Sequence, residues 1–325
     1  MINPIWAKIP DIERQLEKVR ALILDRVQIR NHEVSDLIHN QIVSGGKMLR
    51  PACLILFSKF GKDVDEEQII KAAAAMETLH IATLIHDDVI DDSSLRHGTK
   101  TLQTQVGNRN AIYAGDYLLT VYFELIGEVS NNRAQVLMNA RDMKNILMGE
   151  LDQMLINLNV DATVPMYLRE VSGKTAQLIE LSSKFGAELA NCSTTIVHHA
   201  KYIGHDIGMA FQIEDDILDY HNGRGRTGKP AYEDLKNGVY SIPLIFAIRN
   251  GDAEFKQFLR DHPQLNHEQI LWVAQKVEEF HGIEDAQKLA TSYTNKAIAL
   301  IEELPKNRYR RYLKAVTSEL LKRNV

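Results

Sequence analysis

Apolar positions recur along this chain at the three- and four-residue spacing of α-helices. In residues 65–92, Asp65 and Gln68 resemble a capping box. Ile69, Ala73, Met76, His80, Thr83 and Asp87 then fall near one stripe, and Ala72 to Ala75 add strong helix propensity. The same spacing predicts helices over residues 111–128, 133–158, 167–189, 195–220, 241–249, 267–281 and 285–303. Several of these are apolar nearly all round, as expected for helices buried in a large bundle. Sustained period-two alternation between turn residues is missing, so no strand is predicted. Breaks fall at residues 44–46, 161–165 and 222–238. No shift of composition marks a linker, so the expectation is an all-α fold with a single domain over residues 1–325.

Composition sharpens this picture. The chain is 45% apolar and 25% charged, ordinary for a folded soluble protein. Glycine and proline are scarce, 18 and 8 residues in 325, which fits long elements. A net charge of −5 argues against nucleic acid as a partner, since phosphate backbones attract basic surfaces. Cys53 and Cys192 are the only cysteines and form no CxxC pair, which excludes thiolate zinc sites and a disulfide scaffold. Residues 1–20 lack the apolar core of a signal peptide, and no apolar run reaches the length of a spanning helix. A cytoplasmic protein is expected.

Candidate chemistry sits in two acidic clusters. Asp87-Asp88-Val89-Ile90-Asp91-Asp92 ends one apolar helix, and Asp215-Asp216-Ile217-Leu218-Asp219 lies late in another. On a helix, Asp87 and Asp91 share a face one turn apart, as do Asp88 and Asp92, and Asp215 and Asp219. Like charges at that spacing repel, aspartate is a poor helix former, and a helix C-terminus disfavours anions. Every local effect is unfavourable, so a cation is expected to compensate. Magnesium takes one or two carboxylates and completes its shell with water and substrate phosphates.

With both clusters in place, the chain resembles the trans-isoprenyl diphosphate synthases, specifically their medium- to long-chain polyprenyl branch. The likeness runs from Ser44-Gly45-Gly46-Lys47-Met48-Leu49-Arg50-Pro51 to Asn237-Gly238-Val239-Tyr240-Ser241-Ile242-Pro243. It implies an all-helical bundle around a central cavity, dimeric, with the acidic motifs at its mouth. The reaction implied is condensation of isopentenyl diphosphate with an allylic diphosphate, farnesyl or geranylgeranyl diphosphate. Asp87 and Asp91, with Asp88 in support, and Asp215 and Asp219, with Asp216 nearby, would bind magnesium, three ions when the allylic diphosphate is bound. Lys47, Arg50 and His80 match the isopentenyl diphosphate site. Arg96, Lys174, Thr175, Gln212 and Lys229 match positions around the allylic diphosphate. His97 stands where the family usually has a second arginine, and Met48 where another arginine is usual.

Several residue types fit these roles on their own chemistry. Lys47 offers a point charge and Arg50 a forked donor to a diphosphate, and Pro51 suits a helix first turn that favours anions. His80 precedes Asp87 by seven residues and shares its face. The glycine-rich basic stretch from Asn222 to Gly238 has the make-up of a lid that excludes water. Product length is expected to depend on the apolar tunnel below Asp87. Short-chain relatives close it with an aromatic residue where this chain has Thr83 and Ala82, and Met76 lies farther down. A product beyond geranylgeranyl length follows. Such a product implies peripheral membrane contact at most, or a small accessory subunit. The basic residues 306–323 are expected to form a solvated helix face.

Overall fold

The computed structural model describes residues 2–44, 46–62, 64–96, 99–130, 132–222 and 232–320. Nearly all of them are helical, as the periodicity predicts. The chain forms two compact units. One comprises the residues up to Arg141 with Leu181–Lys201; the other comprises Asp142–Glu180 and the chain from Tyr202 onward.

The first unit is organised by the helix Glu66–Ile90. Asp65 caps it, its Oδ1 accepting from the Glu67 and Gln68 amides at 3.0 and 3.3 Å. Ala72 to Ala75, Met76, Thr78 and Leu79 are all buried, so this helix is enclosed on every side over its middle. It packs against Pro10–Arg26, Leu49–Ser58 and Asn108–Val129. The Pro10–Arg26 helix presents Ile12, Leu16, Val19 and Ile23 to the core at helical spacing.

The second unit has Ile242–Asn250 at its centre, with Ile242, Leu244 and Ala247 fully buried. Val164–Val171, His267–Glu279 and Gly282–Glu303 pack around it. The basic C-terminal segment forms the helix Arg308–Leu320. Its Arg310 donates to the carbonyls of Glu302 and Leu304, at 2.8 and 3.1 Å, and so caps the helix before it.

Three local expectations change. The stretch 133–158 is helical only over Arg133–Gln153; Leu158 turns left-handed at φ 57°, and its N–H donates to the Gly238 carbonyl. The stretch 167–189 is not one α-helix: Val164–Val171 and Gln177–Leu189 are joined by a π-turn at Ser172–Ala176. Finally, the strands Leu95–Arg96 and Thr99–Lys100 pair antiparallel, Leu95 opposite Lys100 and Arg96 opposite Thr99. Two-residue strands are too short to leave an alternating pattern.

Candidate active site

The first acidic motif ends the Glu66–Ile90 helix. Asp87 is half-buried and Asp91 exposed, and the Asp91 N–H donates to the Asp87 carbonyl at 2.8 Å, so the two remain one turn apart. Asp92 breaks the register at φ 49°, which corrects the expected pairing of Asp88 with Asp92. Asp88 points inward and is 3% exposed. Arg96 from the short hairpin meets it, with Nε and Nη2 at 2.8 and 2.7 Å from Oδ1. Gln103 donates to the Asp88 carbonyl at 3.2 Å and to the Ser93 carbonyl at 2.7 Å. Asp88 is thus a buried carboxylate neutralised by Arg96, and removing Arg96 would strand its charge.

Lys47 and Arg50 flank the start of Leu49–Ser58. Met48 caps that helix in the left-handed region, at φ 49° and ψ 42°. Arg50 lies against the central helix near the buried Glu77, one turn before the half-buried His80. Burial pushes the Glu77 carboxyl up to about 7, against the attraction of Arg50. Burial likewise lowers the Arg50 guanidinium, which Glu77 and Cys53 partly offset. The spacing of the central helix buries Ala82 and Met76 completely and leaves Thr83 half-buried, its hydroxyl donating to the His80 carbonyl at 2.9 Å.

In the second unit, Asp216 is the hub of a hydrogen-bond network. It is 4% exposed and accepts from the Tyr167 hydroxyl at 2.6 Å, the Gln212 amide at 2.9 Å and the Ile242 N–H at 3.2 Å. Gln212 in turn accepts from the Thr175 hydroxyl at 2.8 Å. Burial raises Asp216 to about 6 despite these donors. Tyr167 is pushed well above the usual phenol range by burial and by Asp216. Asp219 caps the short turn Glu233–Lys236, accepting from the Glu233 and Asp234 amides at 3.1 and 3.3 Å.

More acid surrounds this network than the motif contains. Glu170 is raised to about 8, by burial first and then by Asp216. Desolvation, Asp216 and Asp219 also push the Asp234 carboxyl well up. Lys174 balances part of this charge, with Nζ 2.8 Å from both Glu150 Oε2 and Gln153 Oε1. Tyr167, Glu170 and Asp234 carried no sequence signal. Glu170 shares the helix of Tyr167, but only the fold shows that both serve the second motif.

Thr175 and Gln212 therefore meet directly, as do Arg96 and Asp88. His97 and Lys229, and most of the basic stretch 222–238, lie outside the described residues. Among the described residues, no three His, Cys, Asp or Glu side chains cluster as ligands of one ion. Magnesium does not require such a cluster, since one or two carboxylates suffice when phosphates and water fill the shell. Asp87 and Asp91, accessible and one turn apart, fit that demand. Asp216, with three donors already on it, does not.

Comparison with known proteins agrees in length and in fold. The polyprenyl synthetase family profile matches residues 31–279. Component 2 of the heptaprenyl diphosphate synthase of Geobacillus stearothermophilus is 33% identical over 314 residues, covering 96% of this chain and 95% of that one. A crystal structure of geranylgeranyl pyrophosphate synthase from Lactobacillus brevis superposes with a TM-score of 0.93 at 41% identity, covering 98% of this chain and 99% of that one. Heptaprenyl diphosphate synthase from Staphylococcus aureus superposes with a TM-score of 0.91 at 31% identity, covering 97% and 99%.

Proposed function

The chain belongs to the polyprenyl synthetase family, and from that premise we propose how its residues lengthen an allylic diphosphate with isopentenyl diphosphate. It is a prenyltransferase of isoprenoid biosynthesis, and its product is a medium- or long-chain polyprenyl diphosphate. Asp87 and Asp91 of the first motif would hold magnesium, as would Asp215 and Asp219 of the second, with three ions in all when the allylic substrate is bound. Bound magnesium supplies Lewis-acid neutralisation of the departing diphosphate. Lys174 and Lys229 add fixed positive charge, and Thr175 and Gln212 position polar groups beside it. Lys47, Arg50 and His80 bind isopentenyl diphosphate, whose double bond attacks the allylic cation; the released diphosphate then takes the proton.

Arg96 has a double task in this reading. In the structure it neutralises Asp88; with substrate bound, its remaining donors turn to the allylic diphosphate. Asp216 acts as a positioning group that holds Gln212, and through it Thr175. His97 contributes a hydrogen bond to isopentenyl diphosphate in place of the family's arginine. The observation that carries the reading is the pair Asp87 and Asp91, accessible one turn apart at the end of a buried helix.

The product assay tests it. The purified chain is incubated with magnesium, farnesyl diphosphate and labelled isopentenyl diphosphate, and products are separated by length. A ladder ending at one species beyond geranylgeranyl diphosphate is expected. The 41% identity to a geranylgeranyl pyrophosphate synthase favours a second reading, in which the ladder stops at four isoprene units. No product from the chain, with magnesium-dependent binding of a non-cleavable farnesyl analogue intact, would point to a required accessory subunit. Loss of both would overturn the reading.

A further inference from the structure

The left-handed Met48 requires an explanation. A residue with a Cβ is disfavoured in this region, and such strain persists only where its surroundings enforce it. Met48 is 8% exposed and sits between Lys47 and Arg50, the two cations assigned to isopentenyl diphosphate. Its carbonyl accepts from the Ala52 N–H at 3.1 Å and so opens the Leu49–Ser58 helix. The directions in which Lys47 and Arg50 leave the backbone therefore depend on the peptide plane between Lys47 and Met48.

That plane is held from far away in sequence. Trp6 ends the 3₁₀ turn Pro4–Trp6, which Asn3 caps through the Ile5 N–H at 3.2 Å. The Trp6 side chain is fully buried, and its indole Nε1 donates to the Lys47 carbonyl at 2.6 Å. A short hydrogen bond from a rigid, enclosed ring fixes the orientation of that carbonyl. Without it, Met48 is free to return to a right-handed or extended conformation, and Lys47 swings relative to Arg50.

We propose that Trp6 is a positioning residue for isopentenyl diphosphate binding: its indole N–H pins the Lys47 carbonyl and holds the left-handed turn that aims Lys47 and Arg50 at one diphosphate. This rests on the assignment of Lys47 and Arg50 to that substrate.

The test is steady-state kinetics of the full chain, varying each substrate with the other saturating. Trp6→Phe keeps an aromatic ring and removes the donor. It should raise KM for isopentenyl diphosphate about fivefold, the usual worth of one such bond. The turnover number and KM for farnesyl diphosphate should stay within about twofold. A benzothiophene analogue at position 6, which preserves the indole's shape without its N–H, should do the same even if Trp6→Phe folds poorly. Adding Met48→Gly, which removes the cost of the left-handed turn, should recover at least half of the lost affinity. Core packing alone predicts no such recovery. The proposal fails if the isopentenyl KM is unchanged in both position 6 variants, if all kinetic constants worsen together, or if Met48→Gly rescues nothing. Arg50→Gln separates the premise: an unchanged isopentenyl KM there would overturn the site assignment and this proposal with it. A raised KM there, beside a flat response at position 6, would overturn the role of Trp6 alone.

Discussion

Glu77 and Arg50 carry opposite charges inside one unit, yet the Glu77 Oε2 and Arg50 Nε atoms are buried without a hydrogen-bond partner among the described residues. Burial outweighs the attraction of Arg50 and sets the Glu77 carboxyl at about 7. The sign follows from linkage. A carboxyl raised above its unfolded value binds its proton more tightly when folded, so its contribution to stability is complete below about pH 4.5 and is lost as pH rises through about 7. The loss is of the order of 3 kcal/mol. Glu77→Gln should therefore flatten the fall in melting temperature between pH 5 and pH 8; equal falls in variant and wild type would refute the assignment. Ala82 makes a different test on the same helix. It is fully buried, so Ala82→Phe overpacks its surroundings and should cost about 1–3 kcal/mol. If the tunnel below Asp87 sets product length, this variant should end its ladder at fewer isoprene units. A folded variant with an unchanged ladder would remove Ala82 from that role.

Lys174 and Thr175 ride on the π-turn Ser172–Ala176, where two backbones lie in close contact. A Cβ on Gly149 would lie 2.2 Å from the Lys174 backbone nitrogen, and one on Gly173 would lie 2.7 Å from the Gly149 Cα. No flexible side chain stands at either point to give way. Gly149→Ala should therefore force the helix and the turn apart, lowering stability by about 1–3 kcal/mol and raising KM for the allylic diphosphate. Gly127 is the counterpart, helical with nothing within 4 Å of an added Cβ. Gly127→Ala should raise stability by about 0.5–1 kcal/mol and leave the kinetics alone. The π-turn also marks the limit of what the sequence discloses. Helical periodicity placed the central helix from its Asp65 cap to Asp92, two residues past its end at Ile90, because a buried helix repeats its apolar positions over many turns. It did not show the π-turn, which lies where Gly173 approaches Gly149, 24 residues away in sequence. Repulsion between aspartates pointed to a cation-binding helix end, yet it could not tell the accessible Asp87 from Asp88, whose partner Arg96 depends on a hairpin of two-residue strands. The stripe Ile12, Leu16, Val19 and Ile23 also has helical spacing, although no helix is among the predictions before residue 65.

Both acidic motifs and the cations assigned to the two substrates are carried by one chain, which sets the expectation that it works without a second gene product. A relative called component 2 of a heptaprenyl diphosphate synthase sets the opposing case. We expect the purified chain to scatter light as a homodimer, with twice the mass of one chain, and to be active in that form without added protein. Its turnover should nevertheless be limited by the product. No helix among the described residues is long and apolar enough to cross a membrane. A long polyprenyl product would have to leave its binding site for water or for a lipid surface. Each buried methylene opposes transfer to water by about 0.8 kcal/mol, and each added isoprene unit brings several carbons. Release, not ionisation or condensation, should then be the slow step. Detergent micelles or phospholipid vesicles should raise steady-state turnover several-fold and leave the rate of a single turnover unchanged, with a burst of product before the steady state in their absence. A product of only four isoprene units should weaken that response, so the size of the detergent effect and the length of the ladder must agree. Acceleration of the single turnover by detergent would place the slow step before release and overturn this account.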